Sequence, residues 1–101
     1  MGEAGGHRMS GTLDDRFFDF AFQMLNYALE FVGSPGYASL RFTDVLEKTV
    51  SLALDVDGVE GKPFYEGLRG RFVERGAASD STREEFLDEL LSLFVDEWRR
   101  R

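Results

Sequence analysis

Residues 13–32 read LDDRFFDFAFQMLNYALEFV, a helix-length segment that is apolar on more than one face. Apolar residues at heptad-like spacing form a first stripe, made of Leu13, Phe17, Phe20, Met24, Tyr27 and Phe31. A second stripe consists of Phe18, Phe22, Leu25, Leu29 and Val32. A helix at the surface of a globular protein needs only one such stripe. This segment is therefore either the central element of the fold or one half of an interface.

Three further segments carry helical patterns. Residues 38–55 form the second, with Ser39 and Thr43 as alternative caps and Leu46, Val50, Ala53 and Leu54 on one side. Pro63 suits the first position of a third helix, in which an apolar residue recurs every four positions, at Phe64, Leu68 and Phe72. Ser81 and Glu84 fit a capping box. They precede a fourth helix from about Thr82, whose inner face is Leu87, Leu90, Leu91, Phe94 and Trp98.

Short linkers join these segments, and short linkers place consecutive helices antiparallel. Neither an internal repeat nor an alternating strand pattern is present. The sequence therefore predicts an all-α fold, a single-domain antiparallel four-helix bundle. The bundle is expected over residues 12–101, and the Gly-rich residues 1–11 are expected to form a flexible N-terminal arm.

Charge and composition exclude several classes of function. The chain has 101 residues and a formal net charge of −7, whereas proteins that bind nucleic acid or anionic membranes need a basic face. It has no cysteine, so disulfides and thiolate chemistry are excluded. We therefore expect no nucleic acid and no membrane as partners, no cofactor, and a cytoplasmic location.

One loop has the residues of a partial calcium site. Counted from Asp55, an EF-hand loop would have Asp57 at its third position and Glu66 at its twelfth. Val59 at the fifth position cannot be a side-chain ligand, and Glu60 replaces the glycine of the sharp turn. We therefore interpret this segment as a polar turn and expect no metal site.

The start of the fourth helix is strongly acidic. Glu84, Glu85, Asp88 and Glu89 resemble the E-E-x-x-E half of the motif in all-helical nucleotide pyrophosphatases of the MazG type. The resemblance implies a magnesium-dependent enzyme that hydrolyses nucleotides with these carboxylates. The E-x-x-D half that this family places on a second helix is missing. Acidic residues also suit the first turn of any helix, because they face the positive end of its dipole.

Ser39 and Leu40 resemble part of the Asp-Ser-Leu motif of acyl carrier proteins, which are also small acidic four-helix bundles. The resemblance implies a phosphopantetheine arm on Ser39. Ala38 stands where that family has aspartate, and a role for Ser39 as helix cap is the simpler interpretation.

The aromatic content has two interpretations. Ten phenylalanines, three tyrosines and one tryptophan, each with roughly 150–250 Å² to be buried, are many for one small bundle. They form either a rich core or a surplus of apolar surface that covers a partner. We expect the first stripe of residues 13–32 to form the core, with Trp98 packed on it. We expect Phe18, Phe22, Leu25 and Leu29 to meet a partner, either a second copy in a homodimer or another protein. No catalytic residue is predicted.

Overall fold

The computed structural model describes residues 12–77 and 82–101, which form four helices. They are α1 (Leu13–Glu30), α2 (Ala38–Asp55), α3 (Lys62–Ala77) and α4 (Arg83–Arg100). This part of the chain contains no strand, and the predicted all-α helical bundle is confirmed. The predicted N-terminal arm, residues 1–11, lies outside the described residues.

Side-chain caps set the first residues of α1 and α4. The Thr12 hydroxyl accepts a hydrogen bond of 3.0 Å from the backbone N–H of Asp15. At α4, Thr82 and Glu85 form a reciprocal capping box. The predicted box of Ser81 and Glu84 is therefore wrong by one residue. Thr82 and Glu85 have the same spacing and cap the N-terminus of α4 one position later. Ser81 itself lies outside the described residues.

A glycine turn and a lysine side chain end α2. Gly58 has a φ of +93°, a left-handed conformation that glycine adopts without steric penalty. The Lys62 ammonium then reaches back and donates hydrogen bonds to the carbonyls of Leu54 and Val56, at 2.8 and 2.9 Å. These carbonyls belong to the last turn, where no further backbone N–H is available to them.

The helices pack in a ring in which each contacts its two neighbours, α1 with α2, α2 with α3, α3 with α4 and α4 with α1. Helices α1 and α2 are antiparallel. The rings of Tyr27 and Phe31, at the end of α1, lie 5.2 and 5.8 Å from that of Phe42, near the start of α2. A Cβ on Gly58, which follows α2, would contact Leu13 at the start of α1.

A cluster of aromatic rings joins α1, α3 and α4. The Phe94 ring is fully buried, and its centroid lies 5.5 Å from Phe18, 5.3 Å from Phe22 and 5.1 Å from Phe64. Aromatic pairs at such distances are favourable beyond the area they bury. This cluster holds α4 against the other helices.

The structure places residues of both α1 stripes in the core. In the first stripe, Met24 is buried and Phe17 packs against the core, as predicted. Phe18 and Leu25, predicted to meet a partner, are buried in the core of the chain itself, and Phe22 and Leu29 pack against that core. Phe20, predicted as core, is 45% exposed. The reason is that α1 packs between α2 and α4. The inward line therefore passes through Ala21 and Ala28, both fully buried, and turns the second stripe towards α4.

The prediction that Trp98 packs on α1 is also wrong, since Trp98 is 63% exposed. The last helical turn of α4 lies beyond the aromatic cluster. There the Arg101 side chain covers α1, with its guanidinium 4.2 Å from the centroid of the Phe18 ring and 2.9 Å from the Asp14 carboxylate. Arg101 therefore takes the place next to α1 that was predicted for the indole.

Truncation of Phe94 and of Trp98 should have opposite results. Phe94→Ala leaves a cavity between three helices, so we expect it to lower the free energy of unfolding by about 3–5 kcal/mol. Trp98→Ala, the matched control on the same helix, should lower it by less than about 1 kcal/mol because the side chain is exposed. Chemical denaturation followed by circular dichroism measures both. Equal losses would contradict the packing of α4 described above.

Candidate association surface

Two rows of exposed apolar side chains run along the outer side of α1 and α2. On α1 they are Leu13, Phe20 and Tyr27, and on α2 they are Val45 and Leu52. Each row repeats every seven residues, which is two helical turns, so its members lie on one line along the helix. Ala38 continues the α2 row at the same spacing. We call Leu13, Phe20, Tyr27, Val45 and Leu52 the α1–α2 face.

The seam between α1 and α2 lies under this face and is itself apolar and aromatic. It is formed mainly by residues three or four positions from those of the face, namely Phe17, Met24, Phe31, Phe42, Thr49 and Val56, which are buried or half-buried. The stacked rings of Phe31 and Phe42 are part of it. The face therefore rests on packed side chains, so its shape is largely set before any partner binds.

Polar residues border the face at regular positions. Three residues after each member of the two rows comes an exposed polar side chain; in chain order these are Arg16, Gln23, Glu30, Arg41, Lys48 and Asp55. We call these six residues the rim. The rim contains three basic and two acidic side chains, whereas the whole chain has a net charge of −7. The face is thus an apolar region with a weakly basic rim, of net charge +1, on an acidic protein.

The residues predicted from the sequence to meet a partner are not on this face. Phe18, Phe22, Leu25 and Leu29 lie on the side of α1 that contacts α4 and the core. The pattern that identifies the face was present in both helices: apolar residues seven apart, each followed three positions later by a polar residue.

The acidic loop after α2 does not assemble a metal site. Within residues 12–77 and 82–101, no three histidine or acidic side chains lie close enough together to hold a metal ion. Asp55, Asp57 and Glu66 are therefore not gathered around a common point. The last turn of α2 instead receives a cation from the chain itself, the Lys62 ammonium.

We expect Lys62→Met to lower the free energy of unfolding by about 1–2 kcal/mol, because it removes a charged donor from two helix-end carbonyls. Lys48→Met is the matched control. Lys48 is exposed in the middle of α2, the helix whose end Lys62 contacts, and its replacement should change stability by less than about 0.5 kcal/mol. Thermal and urea unfolding give both values. Equal stability of the two variants would show that the Lys62 contacts are not made in solution.

The acidic residues of α4 have structural partners. Glu85 belongs to the capping box with Thr82, and the Glu89 carboxylate forms an ion pair with Arg71 of α3. Two of the four carboxylates that resemble the pyrophosphatase motif are therefore engaged in holding α4. The other two, Glu84 and Asp88, are exposed.

Ser39 is buried and neither caps α2 nor reaches solvent. Its hydroxyl donates a hydrogen bond of 2.8 Å to the backbone carbonyl of Ala28, and the residue at the cap position is Tyr37, which makes no side-chain cap bond. The predicted cap at Ser39 is therefore wrong. A phosphopantetheine arm would need an accessible hydroxyl, so the arrangement of Ser39 does not fit a carrier protein.

Charged side chains close the end of the bundle where α1 begins and α4 ends. The Arg101 guanidinium lies 2.9 Å from the Asp14 carboxylate and 3.4 Å from that of Glu97. The Tyr65 hydroxyl donates to the Asp14 carbonyl at 3.4 Å. A Cβ on Gly61 would come within 2.9 Å of the Asp14 carboxylate, so only glycine fits there without displacement. Burial, and then the negative charge of Asp14, raise the pKa of Tyr65 well above its ordinary value.

This pKa shift gives stability a dependence on alkaline pH. Above about pH 10 the unfolded chain releases the Tyr65 proton while the folded chain retains it, so the free energy of unfolding should fall as pH rises. In Tyr65→Phe the fall between pH 10 and pH 12 should be shallower, because that proton is absent from both states. Tyr37→Phe, at a position that is 72% exposed and outside the bundle end, is the matched control for the loss of a tyrosine hydroxyl. Urea titrations at stepped pH values measure the effect, and equal slopes for all three proteins would contradict it.

A shallow groove of about 230 Å³ separates α3 from α4. Phe64, Leu68 and Leu93 supply its apolar surface, and Arg71 and Arg100 supply charge. Both arginines form ion pairs within the chain, Arg71 with Glu89 and Arg100 with Glu97. With both arginines paired, Asp96 is the remaining charged residue of the lining, and the α1–α2 face remains the best-defined candidate.

Comparisons with protein-family models, with curated protein sequences and with solved structures found no match to this chain. Among the described residues, no helix combines the length and the apolar character that crossing a bilayer requires.

Proposed function

We infer that this protein is a non-catalytic association module that binds another protein through the α1–α2 face. The observation that carries the inference is the paired exposure of large apolar side chains at the same heptad spacing on two neighbouring helices. Phe20 is 45% exposed and Leu52 is 54% exposed. Single exposed apolar residues are ordinary on protein surfaces, whereas a continuous apolar patch with a polar border is typical of interaction sites.

The chemistry of the face supports this proposal. Aromatic residues are enriched in the centres of protein interfaces, and two of the five face residues are Phe20 and Tyr27. The charged residues stand at the border and not among the apolar ones, so binding would not bury an unpaired charge at the centre. We also propose a cytoplasmic location, since a chain without cysteine needs no oxidising compartment in order to fold.

The test is capture of bound protein by tagged variants in the native cells, with quantification by mass spectrometry. Phe20→Glu should lose proteins that the wild-type chain retains, because a carboxylate at the centre of an apolar interface is unpaired and desolvated. The variant should remain folded, since position 20 is already partly in water.

Val73→Glu is the matched control, because Val73 is an exposed apolar residue of α3, away from the face. It should capture the same proteins as the wild type. Circular dichroism must show equal helicity for the three proteins. If the folded Phe20→Glu variant captures the same set as the wild type, the α1–α2 face is not the association surface.

A further inference from the structure

We propose that the partner of the α1–α2 face is a second copy of this chain, related by a twofold axis that places α1 of each copy on α2 of the other. This inference rests on the proposed function, because it names the partner of the same face. It is carried by the distribution of charge on the rim.

The rim has opposite charges at its corners. Since α1 and α2 are antiparallel, Arg16 and Asp55 lie at one end of the face, and Glu30 and Arg41 lie at the other. At each end, therefore, one helix presents a basic residue and its neighbour an acidic one. Within the described residues, Glu30, Arg41 and Asp55 form no ion pair in the chain itself, so these charges are available to a partner.

A twofold axis parallel to the helices brings these corners together with the correct signs. It places α1 over α2 of the second copy at the same level, so that Glu30 meets Arg41 of the second copy. At the other end Asp55 lies beside Arg16 of the second copy, which also interacts within its own chain. Because a twofold interface uses the same surface on both subunits, each contact occurs twice.

The alternative twofold axis runs across the helices and places α1 over α1. It also pairs opposite charges at the corners, Glu30 with Arg16 and Arg41 with Asp55. At the centre, however, it sets Lys48 opposite Lys48 of the second copy, and like charges directly opposed are unfavourable. The axis parallel to the helices instead sets Lys48 opposite Gln23. Rim chemistry therefore favours α1 on α2.

The size and net charge of the face also suit a second copy. Each helix has 18 residues and is about 27 Å long, and the pair is about 20 Å wide, which gives a footprint of roughly 500 Å². Accessible area exceeds such a flat projection, so the face approaches the roughly 600–800 Å² per partner of specific interfaces. Two acidic chains repel each other, and this region without net acidic charge is where they can approach most closely.

Sedimentation velocity of the purified chain, from low micromolar to several hundred micromolar, tests the proposal. We expect a concentration-dependent dimer. Phe20→Glu and Leu52→Glu, one on each helix, should be helical monomers, and Val73→Glu should dimerise like the wild type. Because Phe20→Glu and Leu52→Glu are independent variants, the test remains valid if one of them does not fold.

Charge reversal then tests the arrangement. Glu30→Lys should weaken dimerisation by about tenfold, because two attractive contacts become repulsive. The double variant with Arg41→Glu should restore the affinity. Glu47→Lys is the control for net charge, since Glu47 is exposed on α2 away from the face, and it should not weaken the dimer.

Three results would overturn the inference. The first is a wild-type chain that stays monomeric over the whole concentration range; if Phe20→Glu still loses a captured protein, the proposed function stands and only the identity of the partner is wrong. The second is a dimer that persists in folded Phe20→Glu and Leu52→Glu. The third is a Glu30→Lys defect that Arg16→Glu repairs and Arg41→Glu does not, which would indicate α1 on α1.

Discussion

The rotation of three of the four helices follows from the contacts of one ring, that of Phe94 on α4. Phe94 contacts Phe18 and Phe22 of α1 and Phe64 of α3, so it fixes which side of α1, α3 and α4 faces inward. Residue 20 lies about 200° around the helix from residue 18. Because α1 turns Phe18 towards α4, Phe20 is therefore directed away from the core and is 45% exposed. The exposed α1–α2 face is therefore a consequence of the aromatic cluster, and disruption of the cluster would also disturb the face.

Helix positions could be predicted from the sequence because local chemistry determines them. Thr12 caps α1 as expected, and α2 covers the expected residues 38–55. Helix rotation could not be predicted, because two apolar stripes on α1 fit a buried helix equally well. The deciding residues were Ala21 and Ala28, which are fully buried yet belong to neither stripe. Small residues mark the line of closest approach, and a search for large apolar side chains passes over them.

Several polar groups in or beside the candidate sites suggested by the sequence instead form hydrogen bonds at the ends of helices. Lys62 closes the end of α2 beside the acidic loop, Glu85 closes the start of α4, and Ser39 bonds to the end of α1. A capping residue and a ligand need the same chemistry, a polar group placed near a helix terminus. Sequence spacing alone cannot separate these roles, because the difference lies in which backbone groups are left without a partner.

The charged side chains are arranged differently on the two sides of the bundle. Around the α3–α4 groove, Arg71 and Arg100 pair with carboxylates of the same chain, so that side needs nothing further. Around the α1–α2 face, the charged side chains sit beside exposed aromatic residues and alternate in sign from corner to corner. Acidic charge over the remaining surface opposes non-specific contacts between copies, so the association that we propose would use the face where apolar area and complementary charge coincide. Specificity of this kind requires the wrong contacts to be unfavourable as well as the right one favourable. An acidic surface around an apolar face whose rim has a net charge of +1 would meet both conditions.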